Sequence, residues 1–314
     1  MKPITQEKDR LGFVGIGYMG RPIARRLLES GFKLTAYDRD RKKVEELVRY
    51  GGTVAESVSE LSASCNIVLS CLPSDEAVMD TYRGPEGVFA HAHKGTVVID
   101  MSTVYPETSL ELSRLGLERG VEVLDVTISG STPTAENGLL TLFGGGGKER
   151  FDSAESIFRV IAKKYFYLGP SGSGATMKLV VNTLLGIGMQ AIAEAVALGE
   201  KAGLNRSRLL EVLSQTAVVA PAHVGKLQRA MKSDYSPQFP IRLMNKDFGL
   251  IFDLANAVGA RMPAAGAAFE INARQSEEGP EQDFSAVILQ MEKRAHVGSN
   301  GDWRTRTGVD LGGN

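Results

Sequence analysis

Between Leu11 and about Leu168 the chain alternates short β-branched runs with stretches of helical period. LGFVGI (11–16), KLTAY (33–37), NIVLSCL (66–72), TVVIDM (96–101), VEVLDVTI (121–128) and LLTLF (139–143) read as strands. Stretches 20–30, 40–50, 74–83, 106–119 and 149–164 read as helices. Strands that are apolar along their whole length are covered on both faces, and helices lying between them supply that cover. The pattern predicts an α/β fold with a mostly parallel sheet. After Gly169-Pro170 it changes. Helical periods run through 174–202, 206–215, 222–232, 240–259, 263–278 and 284–295, and no convincing strand follows. We expect an α/β domain at 11–168, an all-α domain at 169–293 and a loosely held tail at 294–314, with Trp303 as a candidate anchor. No fixed-period repeat is present.

The first strand runs into Gly15-Ile16-Gly17-Tyr18-Met19-Gly20, which opens the first helix. In that setting a G-x-G-x-x-G pattern points to a dinucleotide. The first glycine permits the sharp turn, the second lets the backbone approach a pyrophosphate, and the third lets helix and strand pack closely. The anion sits at the helix N-terminus, where unpaired N–H groups and the helix dipole favour it. Asp38 ends the second strand, 18 residues past Gly20. A carboxylate there accepts bonds from both ribose hydroxyls and repels a 2′-phosphate, which favours NAD. Arg39 leaves NADP open, because a guanidinium can hold that phosphate. A methyltransferase using S-adenosylmethionine would also place a glycine loop and an acid on such a sheet.

The balance of 36 Lys+Arg against 37 Asp+Glu leaves no basic stripe for nucleic acid. The first ten residues lack the apolar middle of a signal peptide. Leu179–Leu198 is the most hydrophobic segment, but Asn182, Gln190 and Glu194 interrupt it, so it reads as a buried helix rather than a membrane span. Cys65 and Cys71 read as reduced core thiols, without metal-ligand spacing. Together these place the expected protein in the cytoplasm, without a metal, a nucleic-acid partner or a membrane.

Within that apolar segment Lys178, Asn182, Gly186, Gln190 and Glu194 recur every four residues and so share one helix face. A buried ammonium is costly without a partner. It pairs with an internal acid, snorkels to water, or faces a cleft that an anionic substrate fills. Ligands bind where the strand ends of an α/β half meet a second domain, which draws attention to the third option. Reduction of a carbonyl leaves negative charge on oxygen. An ammonium stabilises that charge and donates the proton, and a neutral amine takes it back in reverse.

Four motifs in order make the chain similar to the β-hydroxyacid dehydrogenases. They are LGFVGIGYMGRPIARRLLESG (11–31), DVTISGSTPTAENGLLTLFGGG (125–146), GATMKLVVN (174–182) and MNKDFGLIFDLA (244–255); CLPSDEAV (71–78) and IDMSTVYP (99–106) also match. The resemblance runs from about Leu11 to Lys293. It implies a Rossmann-type domain followed by a helical one, a nicotinamide cofactor (NAD, with NADP as the alternative), and a small 3-hydroxy acid or semialdehyde as substrate. It implies a homodimer or homotetramer. It makes Lys178 the catalytic lysine, sets Leu72 and Pro73 against the cofactor and Thr103 on its nicotinamide side, and gives Ser129, Gly130, Ser131 and Asn182 to the substrate. Lys246, with Asp247 beside it, closes over both.

Each of these residues also has a plainer reading. Leu72-Pro73 could be a strand end, Ser129–Thr132 a helix cap, and Lys246-Asp247 a solvated pair. His223 reads as a surface histidine, and Gly144–Gly147 as a turn. The chain departs from the family in Val126-Thr127-Ile128, where Ala-Pro-Val is usual, and in Ser131, where a second glycine is usual. Imine reductases share the architecture but usually lack the lysine, so Lys178 favours alcohol–carbonyl chemistry. An NADPH-dependent semialdehyde reductase and a non-catalytic dinucleotide-binding scaffold are the alternatives.

Overall fold

The computed structural model describes residues 2–297, so Trp303 and the tail beyond Val297 lie outside the described residues. The chain divides into two compact units, one ending at Val181 and the other beginning at Asn182.

The first unit is built on eight strands: β1 (Arg10–Val14), β2 (Lys33–Tyr37), β3 (Thr53–Val54), β4 (Ile67–Ser70), β5 (Val97–Asp100), β6 (Glu122–Ser129), β7 (Leu140–Gly145) and β8 (Ala162–Gly169). They form one sheet in the order β3-β2-β1-β4-β5-β6-β7-β8. The first six are parallel; β7 runs antiparallel to β6, and β8 parallel to β7. Side chains alternate between two cores. Leu11, Phe13, Ile67, Leu69, Val97 and Ile99 enter one, and Val14, Val68 and Val98 the other. Two apolar faces explain why these strands read as continuous apolar runs. Strand order reverses between β1 and β4, so the loops leaving their C-terminal ends border the crevice where such sheets bind ligands.

Four expectations for this unit need correction. The stretch 40–50 is not one helix: Arg41–Glu45 is α-helical and Val48–Tyr50 a separate 3-10 turn, closed by Gly51 in the left-handed conformation. The stretch 149–164 is not one helix. It breaks at Ala154 into Lys148–Ser153 and Glu155–Ile161, and the chain then enters β8. β8 is an edge strand with Lys163 and Lys164 exposed, so its apolar signal is weak. Gly144 and Gly145 belong to β7 rather than to a turn. A side chain at Gly144 would strike the Phe151 ring, which packs 4.8 Å from Phe158 and 5.6 Å from Tyr167. Cys71 lies just past β4 and is only half-buried, while Cys65 is buried; both are free thiols.

The Ser173–Lys201 helix leaves the first unit and enters the second. It is long and apolar enough to cross a membrane by length and composition. In the second unit Arg206–Ser214, Pro221–Ala230, Ile241–Val258, Pro263–Glu278 and Val287–Arg294 are helices. The aromatic rings of Phe248, Phe252 and Phe269 pack 5.5–6.2 Å apart between two of them. One isolated antiparallel bridge joins Pro240 to Asp283.

Candidate active site

The glycine loop is held from two sides. Gly15 takes φ +94° and donates its N–H to Tyr37 O at 3.0 Å. Ile16 N donates to Asp38 Oδ2 at 2.8 Å, and Asp40 N to Asp38 Oδ1 at 2.9 Å. Asp38 therefore fixes the loop from the end of β2 as well as standing where a ribose would be read. A side chain at Gly15 would strike Cys71 O, and one at Gly20 would strike Gly15 O. At Gly17 a Cβ would meet nothing within 4 Å.

That open space lies beside the start of the Gly20–Glu29 helix, which has no capping side chain and no acid in its first turn. Donors without a side-chain acceptor beside open space suit a pyrophosphate. Met19 packs on the sheet core, while Tyr18 is exposed. Arg39 is exposed beside Asp38, and Lys43 Nζ lies 3.7 Å from Asp38 Oδ1.

The loops after β4 and β5 lie alongside. Leu72 N donates to Ser102 Oγ at 2.9 Å, and the Leu72 side chain borders Gly15. Pro73 is exposed and Thr103 half-buried.

β6 does two things. At its end Ser129 leads into Gly130 (φ +145°) and Ser131, which caps the short helix Thr132–Glu136. Thr134 Oγ1 accepts from Ser131 N at 2.6 Å, so that N–H of the turn is already in use. Further back, Asp125 and Thr127 pin the start of the lysine helix. Gly172 N and Ala175 N each donate to the Asp125 carboxylate at 3.0 Å, and Thr127 Oγ1 donates to Gly174 O at 2.8 Å. Burial raises the Asp125 pKa to about 6, against the pull of those backbone N–H groups. Lys178 is half-buried, three residues past Ala175 on that helix.

One turn beyond Lys178, Asn182 is 1% exposed. Its Nδ2 donates to Asp247 Oδ2 at 2.6 Å, and Lys246 Nζ lies 2.9 Å from Asp247 Oδ1. Asp247 is itself buried, so it is not a solvated surface acid. It turns the Asn182 amide one way and leaves the buried Asn182 Oδ1 without a hydrogen-bond partner among the described residues. His223, read as a surface residue, is buried instead. Its Nε2 lies 3.0 Å from Leu185 O, and burial lowers its pKa. A neutral ring donating to that carbonyl braces the helix.

Residues 10–169 match the family model for the NAD binding domain of 6-phosphogluconate dehydrogenase. Residues 172–291 match that for the NAD-binding domain of NADP-dependent 3-hydroxyisobutyrate dehydrogenase. The chain belongs to the β-hydroxyacid dehydrogenase family. It is 37% identical over 279 residues to glyoxylate/succinic semialdehyde reductase 1 of Arabidopsis thaliana, covering 88% of this chain and 96% of that one. It is 32% identical over 299 residues to 2-(hydroxymethyl)glutarate dehydrogenase of Eubacterium barkeri, covering 94% and 99%. A solved structure of Mycobacterium tuberculosis 3-hydroxyisobutyrate dehydrogenase with L-serine superposes at a TM-score of 0.78, with 29% identity over 90% of this chain and 99% of that one.

As a β-hydroxyacid dehydrogenase the protein is an NAD(P)-dependent oxidoreductase acting on small hydroxy acids or their carbonyl partners. The open space at Gly17 and the uncapped helix start fit that cofactor. Asp125 and Thr127 carry a contribution that was not foreseen. Their side chains tie the strand ending in Ser129–Ser131 to the helix bearing Lys178, across 47 residues of chain. Two polar residues inside the otherwise apolar run 123–128 were the available signal.

Proposed function

We propose that the protein interconverts a short 3-hydroxy acid and its semialdehyde, with Lys178 as general acid and base. The observation that carries this is the shared frame: β6 presents Ser129–Ser131 and, through Asp125 and Thr127, fixes the first turn of the helix on which Lys178 and Asn182 follow one another by one turn. When bound, the nicotinamide dinucleotide supplies or accepts the hydride. As the carbonyl carbon is reduced, the Lys178 ammonium donates a proton to its oxygen; in reverse, the neutral amine removes the hydroxyl proton. Ser129, Gly130, Ser131 and Asn182 bind the substrate, and Lys246, held by Asp247, adds a positive charge for its carboxylate. The names of the plant and bacterial relatives, a semialdehyde reductase and a hydroxymethyl-acid dehydrogenase, support this substrate class.

The test is turnover of short 3-hydroxy acids and semialdehydes by the purified chain, with NAD(H) and NADP(H) in parallel. Binding of either dinucleotide with no turnover across the panel would replace this reading with the scaffold one. We infer NAD as the preferred cofactor, because Asp38 stands where a 2′-phosphate would lie. Asp38→Asn is expected to erode NAD preference over NADP by about tenfold, read as the ratio of kcat/KM values. Wild-type preference for NADPH would instead favour the semialdehyde reductase reading, for which exposed Arg39 is the supporting residue. Free Cys65 and Cys71 suit a reducing cytoplasm.

A homo-oligomer is part of the same proposal. On the Ser173–Lys201 helix, Val180, Leu184, Ala191, Ala195 and Leu198 are exposed along one face, with Leu184 and Leu198 each 71% exposed. An apolar stripe on a helix is self-complementary across a two-fold axis. The Leu184→Glu/Leu198→Glu variant is expected to sediment as monomer at concentrations where the wild type is at least dimeric. An unchanged sedimentation coefficient would remove the stripe as an interface.

A further inference from the structure

We propose that Asp100 and Ser102 are positioning residues for the nicotinamide half of the cofactor, acting through the loops that follow β4 and β5. Ser70 and Asp100 are register partners at the ends of those strands. Ser70 Oγ and Ser102 Oγ each donate to Asp100 Oδ1 at 2.6 Å, and Ser102 N lies 3.3 Å from the same oxygen. Tyr82, on the Asp75–Arg83 helix, donates its hydroxyl to Ser70 Oγ at 2.7 Å. At the other end Ser102 Oγ accepts from Leu72 N at 2.9 Å. The relay thus runs from a helix, through two strand ends, to the backbone of the loop that borders Gly15.

All four side chains are at most 2% exposed. A carboxylate in such a place costs free energy unless it is bonded, and a core built only for packing has no use for one. No cation pairs with Asp100 among the described residues. Burial raises its pKa, while the Ser102 and Ser70 hydroxyls pull it down. What the carboxylate does is orient Ser102. With its hydroxyl proton committed to Asp100, Ser102 Oγ turns a lone pair to Leu72 N, and the residue that follows is Thr103. One oxygen atom therefore sets both the path of Leu72-Pro73 and the start of the Thr103 loop. None of the described hydrogen bonds links this relay to Asp38 or Ile16, which would hold the adenosine half.

This inference rests on the reading that Leu72-Pro73 lie against the cofactor and Thr103 on its nicotinamide side, so the experiment tests the two separately. Dissociation constants of the full chain are measured for the preferred reduced dinucleotide by fluorescence, and for ADP-ribose by calorimetry. Ser102→Ala is expected to weaken the dinucleotide about tenfold and ADP-ribose by no more than about twofold. Asp100→Asn keeps one acceptor oxygen and is expected to give a smaller loss in the same direction. Equal losses for both ligands would reduce the relay to a general structural role, and no loss for either would remove it. Thr103→Val is run beside them. If it weakens the dinucleotide while Ser102→Ala does not, the relay alone has failed. If Thr103→Val binds the dinucleotide as the wild type does, the placement of Thr103 has failed.

Discussion

Lys178→Ala is expected to lower kcat by about a thousandfold while leaving the dissociation constant of the dinucleotide within about twofold of wild type. The size follows from what is removed. A positioned general acid contributes between about a hundredfold and ten-thousandfold, and here the same ammonium also stabilises the charge developing on the carbonyl oxygen. Cofactor affinity stays because the parts suited to the dinucleotide, the Gly15–Gly20 loop and Asp38, are held by bonds to Tyr37 O, Ile16 N and Asp40 N, none of which involves the lysine.

Lys178→Arg separates the two roles. A guanidinium keeps the positive charge but does not release its proton at working pH, so it restores electrostatic stabilisation without proton transfer. Recovery of most of the activity by arginine would make the lysine an electrostatic group only. Survival of the alanine variant within about tenfold would take position 178 out of the chemistry.

What could be read from the chain before its structure follows a physical division. β1, β2, β4, β5, β6 and β7 were legible because both sheet faces are apolar and each strand therefore stands out from the helices around it. β3 has two residues, too few to show a period, and β8 is an edge strand whose exposed lysines blend into the preceding helix. The four-residue recurrence of Lys178 and Asn182 was visible because it lies within one helix. The partners of such residues were not visible. Asp247 meets Asn182 across 65 residues, and Asp125 meets Gly172 across 47. Periodicity reports which face a residue occupies, not what lies opposite it. Burial shows the same limit. His223 and Asp247 look like surface groups by residue type, and only the packed helices show that each is enclosed with a specific bond.

The largest effect on folding is expected at Asp283. Its carboxylate is fully buried and is the acceptor for five groups. Oδ2 takes Lys226 Nζ at 2.6 Å, Phe239 N at 3.1 Å and Gln238 N at 3.2 Å. Oδ1 takes Ser285 Oγ at 2.8 Å and Ser285 N at 3.2 Å. The side chain thereby latches the 238–241 entry to the Ile241–Val258 helix onto the turn that begins Phe284–Ala286. Asp283→Ala leaves the buried Lys226 ammonium bonded to Gln238 Oε1 but without its counter-ion, and three N–H groups lose their acceptor, so it is expected to cost about 3–5 kcal/mol and to lower the melting temperature by roughly 10 °C.

Lys226→Met is the informative companion. Burial lowers the Lys226 pKa against the pull of Asp283, so the charge is held at some expense. Methionine removes that charge, fills the space over the Phe284 ring that the amine occupies at 5.2 Å, and leaves Asp283 with its other donors. The carboxylate loses its counter-ion but keeps four other donors, so the cost in urea unfolding is expected to be about 2 kcal/mol, below that of Asp283→Ala. Comparable losses from the two variants would mean that the ion pair, rather than the backbone latch, holds these segments together.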